Sequence, residues 1–495
     1  MEVVDIIVFV IFTLGVVLFG CSFFRSDQSA DDFTSAGRSL PGWVVGMSIF
    51  ATYVSSISYI GYPGKAFASD WNAFVFSLSI PIASYFAAKH FVPFYRNGGR
   101  VSAYSHLEEK FGKWARMYAS LCYLLTQIAR MGSILYLLAV PMHILMGWDL
   151  HVVICLTSAA IILYSMMGGL RAVIWADAIQ GIILIGGAIL CLGILLWSMP
   201  EGVMQTFRVA IDSEVGNKFS LGSFGADLTS STFWVCLIYG VFINLQNYGV
   251  DQNYVQRYHA ARTDEEARFS ALFGGYLFIP VSALFFMIGT ALYSYYKVGV
   301  GELPAEIASK PDYVFPYFIV TSLPYGLRGL LIASIFAAGM STVSTSVTSA
   351  ATIILKDYYE PLMRGHKDHH IGVLRIASIL VGALGMLVAI MMLKVDSIID
   401  AWWTLSSIFS GGMLGLFLLS YMTRHVSKTA AIVGCVCGIF VIGWISLAGK
   451  LGLPGIHLHE YLAIVLGTTT IFAVGFVLSA AVNKVLKKTP KGKDL

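Results

Sequence analysis

Charge is scarce in this chain. Only 12% of its 495 residues are charged and 57% are hydrophobic, whereas an average soluble domain carries about 25% charged residues. That scarcity excludes a soluble globular protein. Equally absent are short alternating strands, a phosphate-cradling glycine loop, a nucleophile elbow and any stretch long enough for a separate soluble domain with its own core. A membrane barrel and an intramembrane enzyme are therefore not expected. The seven cysteines, Cys21, Cys122, Cys155, Cys191, Cys236, Cys435 and Cys437, all lie in apolar segments. They read as buried packing residues, not as disulfides or a metal site. The net charge of +4 requires no nucleic-acid partner.

What is present is a series of continuous apolar runs, each long enough to cross a ~30 Å hydrocarbon core. Only helices or closed barrels satisfy their backbone in lipid, so the expected fold is an all-α polytopic membrane protein. Thirteen spans are expected, at 3–24, 42–61, 72–95, 114–146, 151–168, 174–197, 231–249, 268–296, 326–356, 373–393, 399–421, 428–448 and 461–484. The first is preceded by Glu2 and Asp5 instead of a basic region and is followed by no small-residue cleavage site, so it reads as a retained span. With the N-terminus outside, 23 of the 32 Lys and Arg residues fall in inside connections or in the tail 485–495. Eight fall outside, and Arg130 is mid-membrane. This balance places the N-terminus outside and the C-terminus in the cytoplasm.

Two spans are interrupted. Residues 50–61 place a polar, β-branched cluster mid-segment, followed by Pro63 and Gly64. Residues 244–249 (Asn-Leu-Gln-Asn-Tyr-Gly) interrupt the seventh span, five helices later. Broken helices at matching positions of two five-helix units, here 42–197 and 231–421, point to an inverted-repeat transporter. The whole chain, 1–495, reads as one transmembrane domain.

A third feature is the stretch Ala337–Ser349. On a helix, Ser341, Ser344, Thr345 and Thr348 fall at i, i+3, i+4 and i+7 and line one face. The plain alternative is a packing face, since small and hydroxyl residues let helices approach closely in lipid. Two ionisable residues also lie at depth, where charge is costly and usually functional. Arg130 suits a carboxylate bidentately; the alternative is a structural bridge, for which only Asp177 is an evident partner. Asp177, near hydroxyls, suits a hard cation; the alternative is an acid in the first turn of a helix at the inner surface. The run His366–His370 reads as a solvated inner loop, and the glycine pairs 168–169 and 411–412 as turn and close-packing positions.

Four stretches carry a resemblance. They are residues 31–41 (Asp-Asp-Phe-Thr-Ser-Ala-Gly-Arg-Ser-Leu-Pro), 101–112 (Val-Ser-Ala-Tyr-Ser-His-Leu-Glu-Glu-Lys-Phe-Gly), 168–180 (Gly-Gly-Leu-Arg-Ala-Val-Ile-Trp-Ala-Asp-Ala-Ile-Gln) and 251–258 (Asp-Gln-Asn-Tyr-Val-Gln-Arg-Tyr). With the hydroxyl helix they resemble the sodium/solute symporter family. The resemblance implies a leucine-transporter-type fold: five plus five inverted helices, one extra N-terminal helix (3–24) and two extra C-terminal helices (428–484). It implies a first sodium site at Ala51, Val54, Ala338, Ser341 and Thr342. A second sodium, held in some members by an aspartate and hydroxyls, would fall at Asp177, Ser341, Ser344 and Thr345. Ser346 and Ser349 are left to packing, and Thr348 is unassigned.

Within the family, residues 50–58, residues 65–71 and Arg130 resemble the sialic acid branch. That implies Arg130 for a substrate carboxylate and Ser55 and Ser58 for the rest of the molecule. Tyr53 stands where a smaller hydroxyl residue is expected, and Ser77 where a glutamine is expected. Asn244 and Asn247 are expected on the same cavity. The resulting expectation is a monomeric cell-membrane symporter that imports a small organic anion, sialic acid or a related sugar acid, with sodium and without an organic cofactor. A neutral sugar or polyol symporter with a structural Arg130 is the alternative; a sodium-binding sensor or channel is the other class.

Overall fold

The computed structural model describes residues 3–25, 28–214, 216–363, 369–393, 412–423, 426–447 and 458–488. Residues 399–411 of the expected eleventh span, 366–368 of the histidine run, Gly411 and 489–495 of the tail lie outside them. Among the described residues there are helices and no strands. Ten helices among the described residues are long and apolar enough to cross a membrane, or eleven when the bent pair Gly42–Tyr53 and Ser56–Ala68 is one span.

The expected spans 151–168 and 174–197 are joined more tightly than the sequence implies. They form one run, Leu150–Trp197, broken only at Gly169, whose φ of 59° and ψ of −154° are not helical. Forty-eight residues at ~1.5 Å each would extend about 72 Å, over twice the hydrocarbon core. Gly169 therefore turns the chain, and a Cβ there would lie 2.9 Å from Phe33.

Burial singles out one helix. An 18-residue window of Leu327–Leu362 is 94% buried, against 28% for Val3–Cys21 and 56% for Lys113–His143. Lys113–Met146, Leu150–Trp197 and both halves of the bent pair pack on it. Its small residues permit this: a Cβ on Gly339 would lie 2.4 Å from Leu138. The hydroxyl stretch thus lies at the centre of the bundle.

The bent pair turns by 57°. Val54 and Ser55 are extended there. Thr52, Tyr53, Val54 and Ser55 are all weak helix formers, which lowers the cost of leaving the helix. The second interruption is not where the polar cluster suggests. Phe233–Val250 runs through Asn244–Gly249 as continuous helix, and the break falls at Asp251, which is extended and accepts from the backbone N–H of Asn253 at 2.8 Å. An N-cap aspartate starts the next helix, Gln252–Ala260. The cluster stays helical, and Asn244 within it is held across helices by the Tyr53 hydroxyl and Ser79 Oγ.

All seven cysteines are free thiols, but only Cys191, Cys236 and Cys435 are buried; Cys21, Cys122 and Cys437 are half-buried and Cys155 is exposed. Its helix presents that side outward, with Val152 and Leu156.

Candidate functional site

The break at Val54–Ser55 frees backbone carbonyls at the end of Gly42–Tyr53, where the helix dipole is negative. The hydroxyl helix faces that end. Ser341 Oγ donates to Ala51 O at 3.1 Å, and Thr342 Oγ1 donates to Val54 O at 3.5 Å. The same hydroxyls lie 3.0 and 3.2 Å from Ala338 O. Ala51, Val54, Ala338, Ser341 and Thr342 are therefore together, as an uncharged set of oxygens. Such a donor set fits a hard monovalent cation.

The second set is different in kind. Asp177, Ser341, Ser344 and Thr345 are all fully buried, which overturns the reading of Asp177 as a surface helix start. Asp177 Oδ2 accepts from Ser48 Oγ at 2.6 Å and pairs with Arg257 Nη2 at 2.7 Å, both side chains wholly inaccessible. Arg257 also donates to Thr345 Oγ1 at 2.5 Å, Ser48 Oγ at 2.7 Å and Asn253 O at 2.7 Å. Ser344 Oγ donates to Ser341 O at 3.0 Å. Asp177 Oδ1 is buried with no hydrogen-bond partner among the described residues. A carboxylate oxygen left open in this way also fits a cation. The expected span boundaries place Arg257 in the inner connection after residue 249; it is instead a buried core residue.

Beside the first set lies a cavity of about 270 Å3. Tyr53, Ser55, Ser58, Arg130 and Asn247 line it, as expected of substrate residues. Ser55 stands at an N-cap position but its side chain makes no capping bond. Arg130 Nη2 donates to Thr52 O at 3.2 Å. Two expected residues do not line the cavity. Ser77 Oγ is bonded to Ser282 Oγ at 2.7 Å, too short a side chain to reach past that partner. Asn244 is buried behind Tyr53, accepting from its hydroxyl and donating to Ser79 Oγ at 2.9 Å.

Gln127, Asp251 and Tyr254 also line the cavity and are not among the expected residues. Gln127, three residues before Arg130, shares its helix face. Asp251 brings a carboxylate to the cavity; Asp177, the partner for Arg130 that the sequence suggests, is instead paired with Arg257. Tyr254 follows one turn after Asp251. Asp251 and Arg257 stand in the family-like stretch 251–258, where their charge was the available signal. Gln127 also ties the cavity to the hydroxyl helix. Its Oε1 accepts from Ser346 Oγ at 2.8 Å and from Asn253 Nδ2 at 3.1 Å, while its Nε2 donates to Asp251 Oδ2 at 3.4 Å. Ser346 therefore does more than pack. Thr348 Oγ1 bonds within its own helix, to Ser344 O at 2.9 Å. Ser349 Oγ is buried without a hydrogen-bond partner among the described residues.

The family described as sodium:solute symporter matches residues 33–438. A sodium/sialic acid symporter of Proteus mirabilis is 33% identical over 436 residues, covering 86% of each chain. One from Aliivibrio fischeri is 30% identical over 472 residues, 94% of this chain and 90% of the relative. Among solved structures, a sodium-coupled sialic acid symporter in a substrate-bound outward-open state superposes with a TM-score of 0.88 at 29% identity. It covers 97% of this chain and 98% of its own. The chain belongs to the sodium:solute symporter family and is a multi-pass membrane transporter that uses sodium, not an enzyme.

Proposed function

We propose that the chain imports sialic acid (N-acetylneuraminate), or a closely related sugar acid, by alternating access driven by inward sodium. The observation that carries this is Arg130, a guanidinium lining a small cavity beside Ser55, Ser58 and Asn247. A carboxylate engages it bidentately, and the hydroxyls and amide take the sugar. Names of the 33% and 30% identical relatives support the same substrate class.

Coupling follows from chain adjacency. Val54, whose carbonyl belongs to the first sodium set, immediately precedes Ser55, which lines the substrate cavity. A sodium ion bound there fixes the broken helix against the hydroxyl helix and so orders Ser55 and Ser58. By linkage, substrate strengthens sodium binding by the same factor. In this reading Asp177, Ser341, Ser344 and Thr345 hold a second sodium. Residues 42–197 and 231–421 form the inverted repeats, and 3–24 and 428–484 are additions. A single chain is the working unit, in the cell membrane, with its N-terminus outside and its C-terminus cytoplasmic.

The alternative of a neutral sugar rests on the bond from Arg130 to Thr52 O, which gives the guanidinium a structural use. Titration of the purified protein in sodium with N-acetylneuraminate and with its methyl ester separates the two. The free acid is expected to bind at least about tenfold more tightly, the value of a lost charged hydrogen bond. Equal affinities would favour the neutral solute.

A further inference from the structure

The second sodium set already contains a cation. Arg257 reaches two of its members, Asp177 Oδ2 at 2.7 Å and Thr345 Oγ1 at 2.5 Å, and is anchored by Ser48 Oγ and Asn253 O, each at 2.7 Å. The guanidinium is wholly buried. A sodium ion arriving at Asp177 would place two positive charges on one carboxylate in a region with little water to screen them. Yet Asp177 Oδ1, on the same carboxylate, has no hydrogen-bond partner among the described residues. The site is therefore both open to a cation and guarded by one.

We propose that Arg257 is a tethered counter-cation: it holds Asp177 and Thr345 when the second sodium is absent, and sodium binds there by displacing it. This rests on the reading of Asp177, Ser341, Ser344 and Thr345 as a sodium site. Arg257 would then set the sodium affinity of that site, because the ion must compete with a charge that never diffuses away. A displaced guanidinium has another buried carboxylate in its field: Asp251, six residues earlier, which lines the substrate cavity with Arg130. Exchange at Asp177 thus alters the charge balance beside the substrate.

The test is thermal unfolding of the purified full chain in detergent, titrated with sodium chloride at ionic strength held constant with choline chloride. Arg257→Gln should melt below wild type without sodium, since it leaves Asp177 buried and unpaired. Sodium should then raise its melting temperature more than it raises wild type's, with half of the effect reached at about tenfold lower sodium. Adding Asp177→Asn should remove that gain. A lower melting temperature with a wild-type sodium response would overturn the proposal, because a purely structural arginine predicts that result. Arg257→Lys serves where the glutamine variant does not accumulate. It keeps the charge but cannot span Asp177, Thr345 and Ser48 together, so its half-effect should fall about threefold, and no fall counts against the proposal. If instead the second-site reading is wrong, Asp177→Asn alone leaves the steepness of the wild-type sodium response unchanged.

Discussion

The two oxygen clusters on the hydroxyl helix share Ser341 yet differ in charge. The first, around Ala51, Val54 and Ala338, is built of carbonyls and hydroxyls alone. The second contains Asp177 and carries its own cation, Arg257. A neutral set can form at the end of a broken helix without a compensating charge, because the freed carbonyls hydrogen-bond to Ser341 and Thr342 until an ion arrives. A buried carboxylate cannot wait in that way; unpaired, it would cost several kcal/mol. A sodium site with an acid must therefore be read together with whatever balances the acid when sodium is gone.

Substitutions test that contrast. The largest effect is expected for Ser341→Ala, which removes an oxygen from both clusters. Half-saturating sodium for uptake should rise by at least about 10–100-fold, the range seen when a supporting ligand of a metal site is lost. A rise of less than twofold would show that the hydroxyl is not a ligand at all. Next comes Asp177→Asn, which touches only the second cluster. Sodium activation should lose cooperativity, its Hill coefficient falling toward one, while sodium half-saturation at the first cluster is kept. Stability in sodium-free detergent should also drop, by up to about 3–5 kcal/mol, because Arg257 is left buried without its partner. An unchanged Hill coefficient would confine sodium to the neutral cluster. The smallest effect is expected for Ser349→Ala, on the same helix but in neither cluster. Its unpartnered hydroxyl predicts a stability change within about 1 kcal/mol and a sodium dependence indistinguishable from wild type; a shifted dependence would extend the functional face one turn further.

Much of this architecture was legible in the residues. Ser341, Ser344 and Thr345 advertise a face by their spacing. The cluster from Thr52 to Ser58, with Pro63 and Gly64 behind it, advertises a broken helix. Arg130 stands out because it lies mid-span, whereas the other charged residue of 114–146, Arg116, stands at the span's end. The parts that were not legible share a cause. Asp251 and Arg257 follow the end of the span 231–249, where the sequence alone reads as a solvated connection. Only the packing of Gln252–Ala260 against neighbouring helices buries them. The break at Asp251 was hidden as well, because Asn244 and Asn247 form a more conspicuous polar cluster yet remain helical. Ser77 misled in the opposite sense: its position in the chain is right for the cavity, but its short side chain is taken by Ser282.

The central claim is sodium-driven entry of a sugar acid. It is tested most directly by uptake of labelled N-acetylneuraminate into proteoliposomes containing this protein, with and without an inward sodium gradient and with potassium as the control cation. The account predicts accumulation above the external concentration only with the sodium gradient, abolished in Arg130→Ala protein that folds and retains sodium-induced thermal stabilisation. Equal uptake without sodium, or undiminished uptake by that variant, would contradict it.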